Sequence, residues 1–223
     1  DLFVENDNVY MKTVKGPLKV DCIYRRLDDN FLDPKAFNKD SVIGVPGLFK
    51  CWLKKNVGIV NAIGTGVADD KVVYSYVNKM IVYYLGEQPT LNQVETYLCH
   101  DKKQREYVLE NMSRLVVKPA NASGGYGIMI GPKASIKERA EVAEKIKKSP
   151  REYIAQPLET LSTAPTITEK NIEPRHLDLR PFVLSGKTSY VTTGGLTRVA
   201  LRKGSTIVNS SQGGGSKDTL IVE

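Results

Sequence analysis

Long apolar runs are missing from this 223-residue chain. The longest, Met80–Leu85 and Phe182–Leu184, fall far short of the ~20 residues a membrane-spanning helix needs. No charged-then-apolar leader opens the sequence, and its first residue is Asp1 rather than Met. The expectation is a soluble, cytoplasmic chain with no membrane partner, and a fragment of a longer protein. Cysteine is scarce: Cys22, Cys51 and Cys99 are odd in number, widely spaced and form no C-x-x-C pair, which excludes a disulfide framework and reads as free thiols in a reducing compartment. Histidine is scarcer still. His100 and His176 stand near no cysteine pair, so zinc is not supported.

The charge balance is 32 Lys and Arg against 25 Asp and Glu, a net +7 that raises the question of nucleic acid. The densest basic stretch, Lys133 to Arg151, interleaves Glu138, Glu141 and Glu144 with its lysines and is followed by Glu152. That is the solvated face of an amphipathic helix, and no aromatic-interleaved basic strand accompanies it. Nucleic acid is therefore not expected as a partner. At 41% hydrophobic and 26% charged residues the chain is of ordinary globular composition, long enough for one large or two small domains. The excess positive charge fits a site for phosphates and carboxylates equally well.

Val57–Ala62 is a short apolar run that ends in a glycine-containing loop, Ile63 to Asp70. Behind it Val72, Val73, Tyr76, Val77, Met80 and Tyr84 recur at helical spacing, so strand, loop and helix make half of a Rossmann-like unit. Asp69 and Asp70 either cap that helix or border an anion site at its start. After a linker at Gly86–Pro89, Asp101 with Gln104 opens a helix through Met112. Leu115–Lys118 is a strand. Ser135 with Glu138 opens a second helix, striped by Ile136, Ala140, Ala143 and Ile146, that ends at Ser149-Pro150. Strands are expected at Tyr153–Gln156, Leu179–Leu184, Ser189–Thr192, Leu196–Leu201 and Ser205–Asn209. Alternating elements followed by a strand-rich half indicate α/β and then α+β, with domains at 1–105 and 106–223.

The chemistry concentrates in Val116-Val117-Lys118-Pro119-Ala120-Asn121-Ala122-Ser123-Gly124-Gly125-Tyr126-Gly127. A lysine leaving a strand and a glycine-rich turn supply a fixed positive charge and backbone N–H groups that can close over phosphates. The run is neither a Walker loop nor a dinucleotide fingerprint, since it lacks both spacings. Taken alone, a plain hairpin remains the other reading.

In order and spacing this run resembles the ATP-grasp superfamily, whose members carry such a strand, a glycine-rich loop and, one helix later, a hinge strand along the adenine. Ile154-Ala155-Gln156-Pro157-Leu158-Glu159 matches that hinge. The resemblance implies that Lys118 holds the α/β-phosphates, that Ser123, Gly124, Gly125 and Gly127 cover the β/γ-phosphates, and that Gln156 and Leu158 receive the adenine edge. Four further runs sharpen it: Tyr24 to Pro34, Pro174 to Pro181, Gly194 to Arg198, and Asn209 to Thr219. Together they are similar to the circularly permuted ATP-grasp family, which includes proteins related to glutathionylspermidine synthase. The implied fold is ATP-grasp with a Rossmann-like pre-ATP-grasp domain, and the implied cofactors are ATP and Mg²⁺. The implied reaction joins a small-molecule or peptide carboxylate to an amine through an acyl phosphate. A phosphotransferase, or an ATP-binding module without turnover, are the alternatives on the same scaffold.

On that resemblance Arg180 and Arg198 are catalytic candidates, since phosphoryl transfer depends on fixed cations around oxygens that gain charge. Arg180 can equally be a surface partner of Asp178, and Arg198 a strand-edge charge. Arg25 and Arg26 form either a substrate-carboxylate clamp or an ion-pair network with Asp28 and Asp29. Asn209, Ser210 and Gln212 belong to a polar run too rich in glycine for a strand end, expected as a substrate loop; His176 reads as structural. The E-x-N pattern that would hold Mg²⁺ has Ile207 in place of its carboxylate. Asp178 is left as the candidate metal ligand.

Overall fold

Asn6 and Asp7 both hold positive φ, 48° and 59°. That is the conformation a two-residue hairpin turn requires, and it sets Glu5 opposite Asn8. The turn joins β1 (Leu2–Glu5) to β2 (Asn8–Thr13), and Gly16 opens β3 (Gly16–Lys19), completing an antiparallel meander. The sequence pattern did not announce these strands, which are short and bury only Val9 fully. The chain then forms β4 (Cys22–Tyr24), which pairs in parallel with β5 (Gly58–Val60). The crossover between them carries α1 (Asp29–Leu32) and α2 (Leu48–Leu53). Val9, Leu32, Leu48, Cys51, Val57 and Ile59 make one core. Asp33, only 1% exposed, is tied into it by accepting from the backbone N–H groups of Lys35, Gly47 and Phe49 at 2.8, 3.0 and 2.9 Å.

The helix expected behind the glycine loop is broken in two, α3 (Lys71–Tyr74) and α4 (Val77–Leu85). At the break the Ser75 hydroxyl donates to the Val72 carbonyl at 2.7 Å, and the Ser75 and Tyr76 N–H groups reach back only three residues. A serine that bonds its own turn in this way tightens and ends an α-helix. Asp70 caps α3, its Oδ1 accepting from the Val72 N–H at 2.8 Å. The structure describes residues 1–122, 126–168, 171–206, 208–209 and 213–221, and these fall into two compact units, Asp1–Leu91 and Asn92–Glu223. The sequence set its boundary near residue 105, which lies inside a helix of the second unit.

That helix is α5 (Lys102–Asn111), capped by Asp101, whose Oδ1 accepts from the Gln104 N–H at 2.9 Å. A four-stranded antiparallel sheet carries β6 (Tyr97–Leu98), β9 (Tyr153–Pro157), β7 (Leu115–Pro119) and β8 (Met129–Ile130), in that spatial order. Between β8 and β9 runs α6 (Ile136–Lys148), opened by a complete Ser135–Glu138 capping box. Leu115, Val117, Met129 and Ala155 point to one face of this sheet and pack with Val108, Met112 and Ile146 of the helical layer. A second antiparallel sheet follows, β10 (Thr163–Ile167), β11 (Ile172–Ser185), β12 (Ser189–Ala200) and β13 (Gly214–Lys217). The two strands expected at 189–192 and 196–201 are one strand, β12. Its register shifts opposite Pro181, which has no N–H for the ladder, and Gly194 at φ 110° absorbs the irregularity. The strand expected at Ser205–Asn209 is absent among the described residues, where a turn from Arg202 to Ser205 stands instead. No helix among the described residues is long and apolar enough to cross a membrane.

Candidate functional site

Strand periodicity sorts β7 by face. Leu115 and Val117 point into the helical layer, so Val116 and Lys118 point the other way, as do Ile154 and Gln156 of β9. The register pairs Val116 with Gln156 and Lys118 with Ile154, making Lys118 and Gln156 diagonal neighbours. Lys118 Nζ donates to Gln156 Oε1 at 2.6 Å, although 38 residues separate them. Gln156 is 8% exposed, and its Nε2 donates to Thr96 Oγ1 at 2.9 Å. Thr96 was not singled out by the sequence: no motif marks it, and it reaches Gln156 only because β6 pairs with β9 in a register that continues to this pair. Leu158 lies just past the end of β9 and is 44% exposed.

The glycine-rich loop leaves β7 at Pro119. Gly127, at φ 71°, ends it, and a Cβ there would stand 2.9 Å from Pro119 Cγ, so the loop returns against its own departure point. Ser123, Gly124 and Gly125 lie outside the described residues, as do Ser210 and Gln212.

The second sheet gathers four further candidates. Asp178 on β11 is directly opposite Arg198 on β12. Arg180, two residues on and on the same face, donates to Asp178 Oδ2 through Nε at 3.1 Å and Nη2 at 2.9 Å. Arg198 Nη1 donates to Asn209 Oδ1 at 2.7 Å. The Asn209 carbonyl accepts from the Gly214 N–H at 2.9 Å. Among the described residues, two atoms of this group are buried without a hydrogen-bond partner: Asp178 Oδ1 and Arg198 Nε. Buried polar atoms are nearly always paired, so an orphan acceptor and an orphan donor on facing residues single this place out as a candidate ligand site. The donor set fits a phosphate through the two guanidinium groups. It offers Mg²⁺ one carboxylate oxygen, and among the described residues no group of three His, Cys, Asp or Glu assembles.

Arg25 is built differently. It is 8% exposed and donates to the carbonyls of Asn61, Leu27 and Ala62 at 2.6, 2.9 and 2.8 Å, to Thr65 Oγ1 at 3.3 Å and to the carboxylate of Asp29. These contacts bind the end of β4 to the glycine loop after β5, while Arg26 beside it is exposed. His176 Nδ1 donates to the Leu161 carbonyl at 2.8 Å. Burial pushes the Cys99 thiol up to about 11 and, with hydrogen bonds to Glu95 and Tyr107, raises Tyr97. Glu173 is held below the usual carboxylate range by its hydrogen bond from Arg175.

This chain belongs to the family of circularly permuted ATP-grasp type 2 proteins, whose description matches residues 1–200. Its fold is accordingly ATP-grasp, a mixed α/β and α+β architecture. It is 55% identical over its whole length to an uncharacterised protein of Synechocystis sp., of which it covers 47%. With an uncharacterised protein of Mycobacterium tuberculosis it shares 54% identity, again over its whole length and 40% of the relative. A Frankia casuarinae protein, named provisionally as glutamate–cysteine ligase 2-2, is 48% identical over 99% of this chain and 26% of its own length. The chain thus spans less than half the length of these relatives. Among solved structures, the D-alanine–D-alanine ligase of Helicobacter pylori is similar over 78% of this chain and 50% of that one, at 13% identity and a TM-score of 0.38.

Proposed function

We propose that this chain supplies the nucleotide-binding and phosphate-stabilising part of a cytoplasmic ATP-dependent ligase that joins a carboxylate to an amine, of the glutathionylspermidine-synthase kind. The observation that carries the reading is the pair of unpartnered buried atoms, Asp178 Oδ1 and Arg198 Nε, on cross-strand neighbours. In this reading Lys118 holds the α/β-phosphates, with the loop that ends at Gly127 over the β/γ-phosphates and the hinge at Gln156 and Leu158 along the adenine. Arg180 and Arg198 stabilise oxygens that gain charge, as fixed cations do best where no reorganisation is needed. Asp178 contributes an oxygen to Mg²⁺, which would neutralise phosphate charge when bound. Asn209 orients Arg198, and with Ser210 and Gln212 it is assigned to substrate binding. The first unit, Asp1–Leu91, acts as the pre-ATP-grasp domain. Support comes from the family, and from the ligase name carried by the Frankia protein.

A second reading, an ATP-binding module without turnover, is favoured by the thin metal side: Ile207 replaces the E-x-N carboxylate, leaving Asp178 as the candidate. Calorimetric titration of ATP and ADP, with and without Mg²⁺, tests the nucleotide site directly. Micromolar, Mg-enhanced binding is expected, and Lys118→Ala should weaken it at least about 30-fold, the equivalent of about 2 kcal/mol for a lost charge contact. Unchanged affinity in that variant would remove Lys118 from the site. Binding that Mg²⁺ does not enhance would move the metal carboxylates out of this chain.

A further inference from the structure

Three hydrogen bonds run end to end beneath the proposed nucleotide lysine. Lys118 Nζ donates to Gln156 Oε1 at 2.6 Å, Gln156 Nε2 donates to Thr96 Oγ1 at 2.9 Å, and Thr96 Oγ1 donates to the Val94 carbonyl at 3.0 Å. The direction of each is dictated by the two ends. An ammonium can only donate, and a backbone carbonyl can only accept. Between those ends an amide and a hydroxyl, each able to do both, are left with a single consistent orientation. The hydroxyl proton goes to Val94, the hydroxyl oxygen is therefore the acceptor, and the amide must present its NH₂ to Thr96 and its oxygen to the lysine.

We infer that Thr96 is a positioning residue for Lys118, acting through Gln156: its hydroxyl fixes which way the Gln156 amide faces and so keeps an acceptor, not a donor, against the ammonium. The inference rests on the nucleotide reading above for its effect on ATP, but the relay itself stands on the three distances. Without the hydroxyl the buried amide either leaves its NH₂ unpaired or turns over and sets that NH₂ against a positive charge. Both outcomes loosen the lysine. A threonine is suited to the task because the hydroxyl is local to its own backbone acceptor two residues back, so its proton is committed before any ligand arrives. The relay also uses one N–H and the oxygen of the Gln156 side chain, which shifts recognition of a base toward the main chain of the hinge.

The test compares wild type, Thr96→Val and Thr96→Ser by ATP calorimetry, together with Thr96→Val in a Gln156→Met background. Alongside it, NMR follows hydrogen exchange of the Gln156 side-chain amide without nucleotide. Thr96→Val should weaken ATP about tenfold, as expected for one unsatisfied buried hydrogen-bonding group. Thr96→Ser should stay within about twofold, since it keeps the hydroxyl. In the Gln156→Met background the valine substitution should cost nothing further, a coupling that a merely structural threonine would not give. Equal losses in the two backgrounds, or wild-type affinity in Thr96→Val, overturn the inference. If the wild-type chain binds no ATP, the nucleotide reading fails by itself, and the relay is judged on exchange alone. Slow exchange in wild type that becomes fast in Thr96→Val upholds it. Wild-type Gln156 amide protons exchanging like those of a free amide overturn it, whatever the variants do.

Discussion

Arg25 in the first unit and Arg198 in the second each sit beside a carboxylate at the edge of a loop, and their bonding is opposite. Every nitrogen of Arg25 has an acceptor: three carbonyls, a threonine hydroxyl and Asp29. Arg198 has Asn209 on one nitrogen, while among the described residues its buried Nε has no partner and neither does Oδ1 of facing Asp178. A saturated guanidinium is a joint, whose whole charge is consumed in holding chain to chain. An unsaturated one beside an unsaturated carboxylate is held at a cost in stability, and the use proposed for that cost is a ligand. From sequence each arginine had two readings, Arg25 a carboxylate clamp or an ion-pair network with Asp28 and Asp29, Arg198 a catalytic cation or a strand-edge charge.

The largest effect that separates them is on stability. Arg25→Ala should cost about 3–5 kcal/mol, as expected when one member of a buried ion pair is removed and its partners stay behind. Arg25→Lys should recover little of this, since a point charge cannot serve acceptors arranged around a planar fork. Arg198→Ala should stay within about 1 kcal/mol of wild type, because a half-buried arginine with one side-chain bond among the described residues gives up little. Urea unfolding of the three variants reads this out. Equal losses for Arg25→Ala and Arg198→Ala would erase the distinction between joint and ligand group.

How much of this was legible in sequence depends on the range of the interactions. Asp101 with Gln104 and Ser135 with Glu138 marked helix starts, because a cap is a local bond and both are made. The Lys118 and Gln156 runs were legible as motifs, and their meeting follows from an antiparallel pairing of β7 and β9 that the sequence only implied. Thr96 and the acceptors of Arg25 were not legible: Thr96 is 60 residues from Gln156, and the backbone carbonyls of Asn61 and Ala62 have no residue identity to read. The meander at the start was missed for a further reason. Its turn depends on positive φ at Asn6 and Asp7, a conformation that composition permits without demanding.

The two cores differ in a smaller way that pH exposes. Each holds one fully buried cysteine, Cys51 in the first unit and Cys99 in the second. Burial raises both thiols, Cys99 from an ordinary 9.0 to about 11. Between those values the unfolded chain releases the Cys99 proton while the folded chain keeps it, so stability falls as pH rises from about 9 to about 11 and is unaffected below. The full loss is on the order of 2 kcal/mol. The stability difference between wild type and Cys99→Ala, followed through this window, should shift toward the variant by that amount. A pH-independent difference would show that Cys99 gains solvent before it ionises.

The finest comparison is between the two glycine loops. Gly127 closes the loop after Lys118 at φ 71°, with Pro119 Cγ 2.9 Å from where a Cβ would stand; Gly66, in the loop after β5, has nothing within 4 Å. Gly127→Ala therefore meets both backbone strain and a ring that is itself pinned in β7, and should cost about 1–2 kcal/mol. Because relief of that strain must come from the loop, ATP affinity should fall with stability. Gly66→Ala meets open space and lies in a 3₁₀ turn, where removing backbone freedom from the unfolded chain is neutral or stabilising by up to about 1 kcal/mol. Thermal unfolding and ATP titration of the two variants measure the contrast. Equal effects would mean that the return of the loop onto Pro119 is incidental; a loss confined to Gly127→Ala, in both stability and affinity, ties the loop's shape to the lysine it follows.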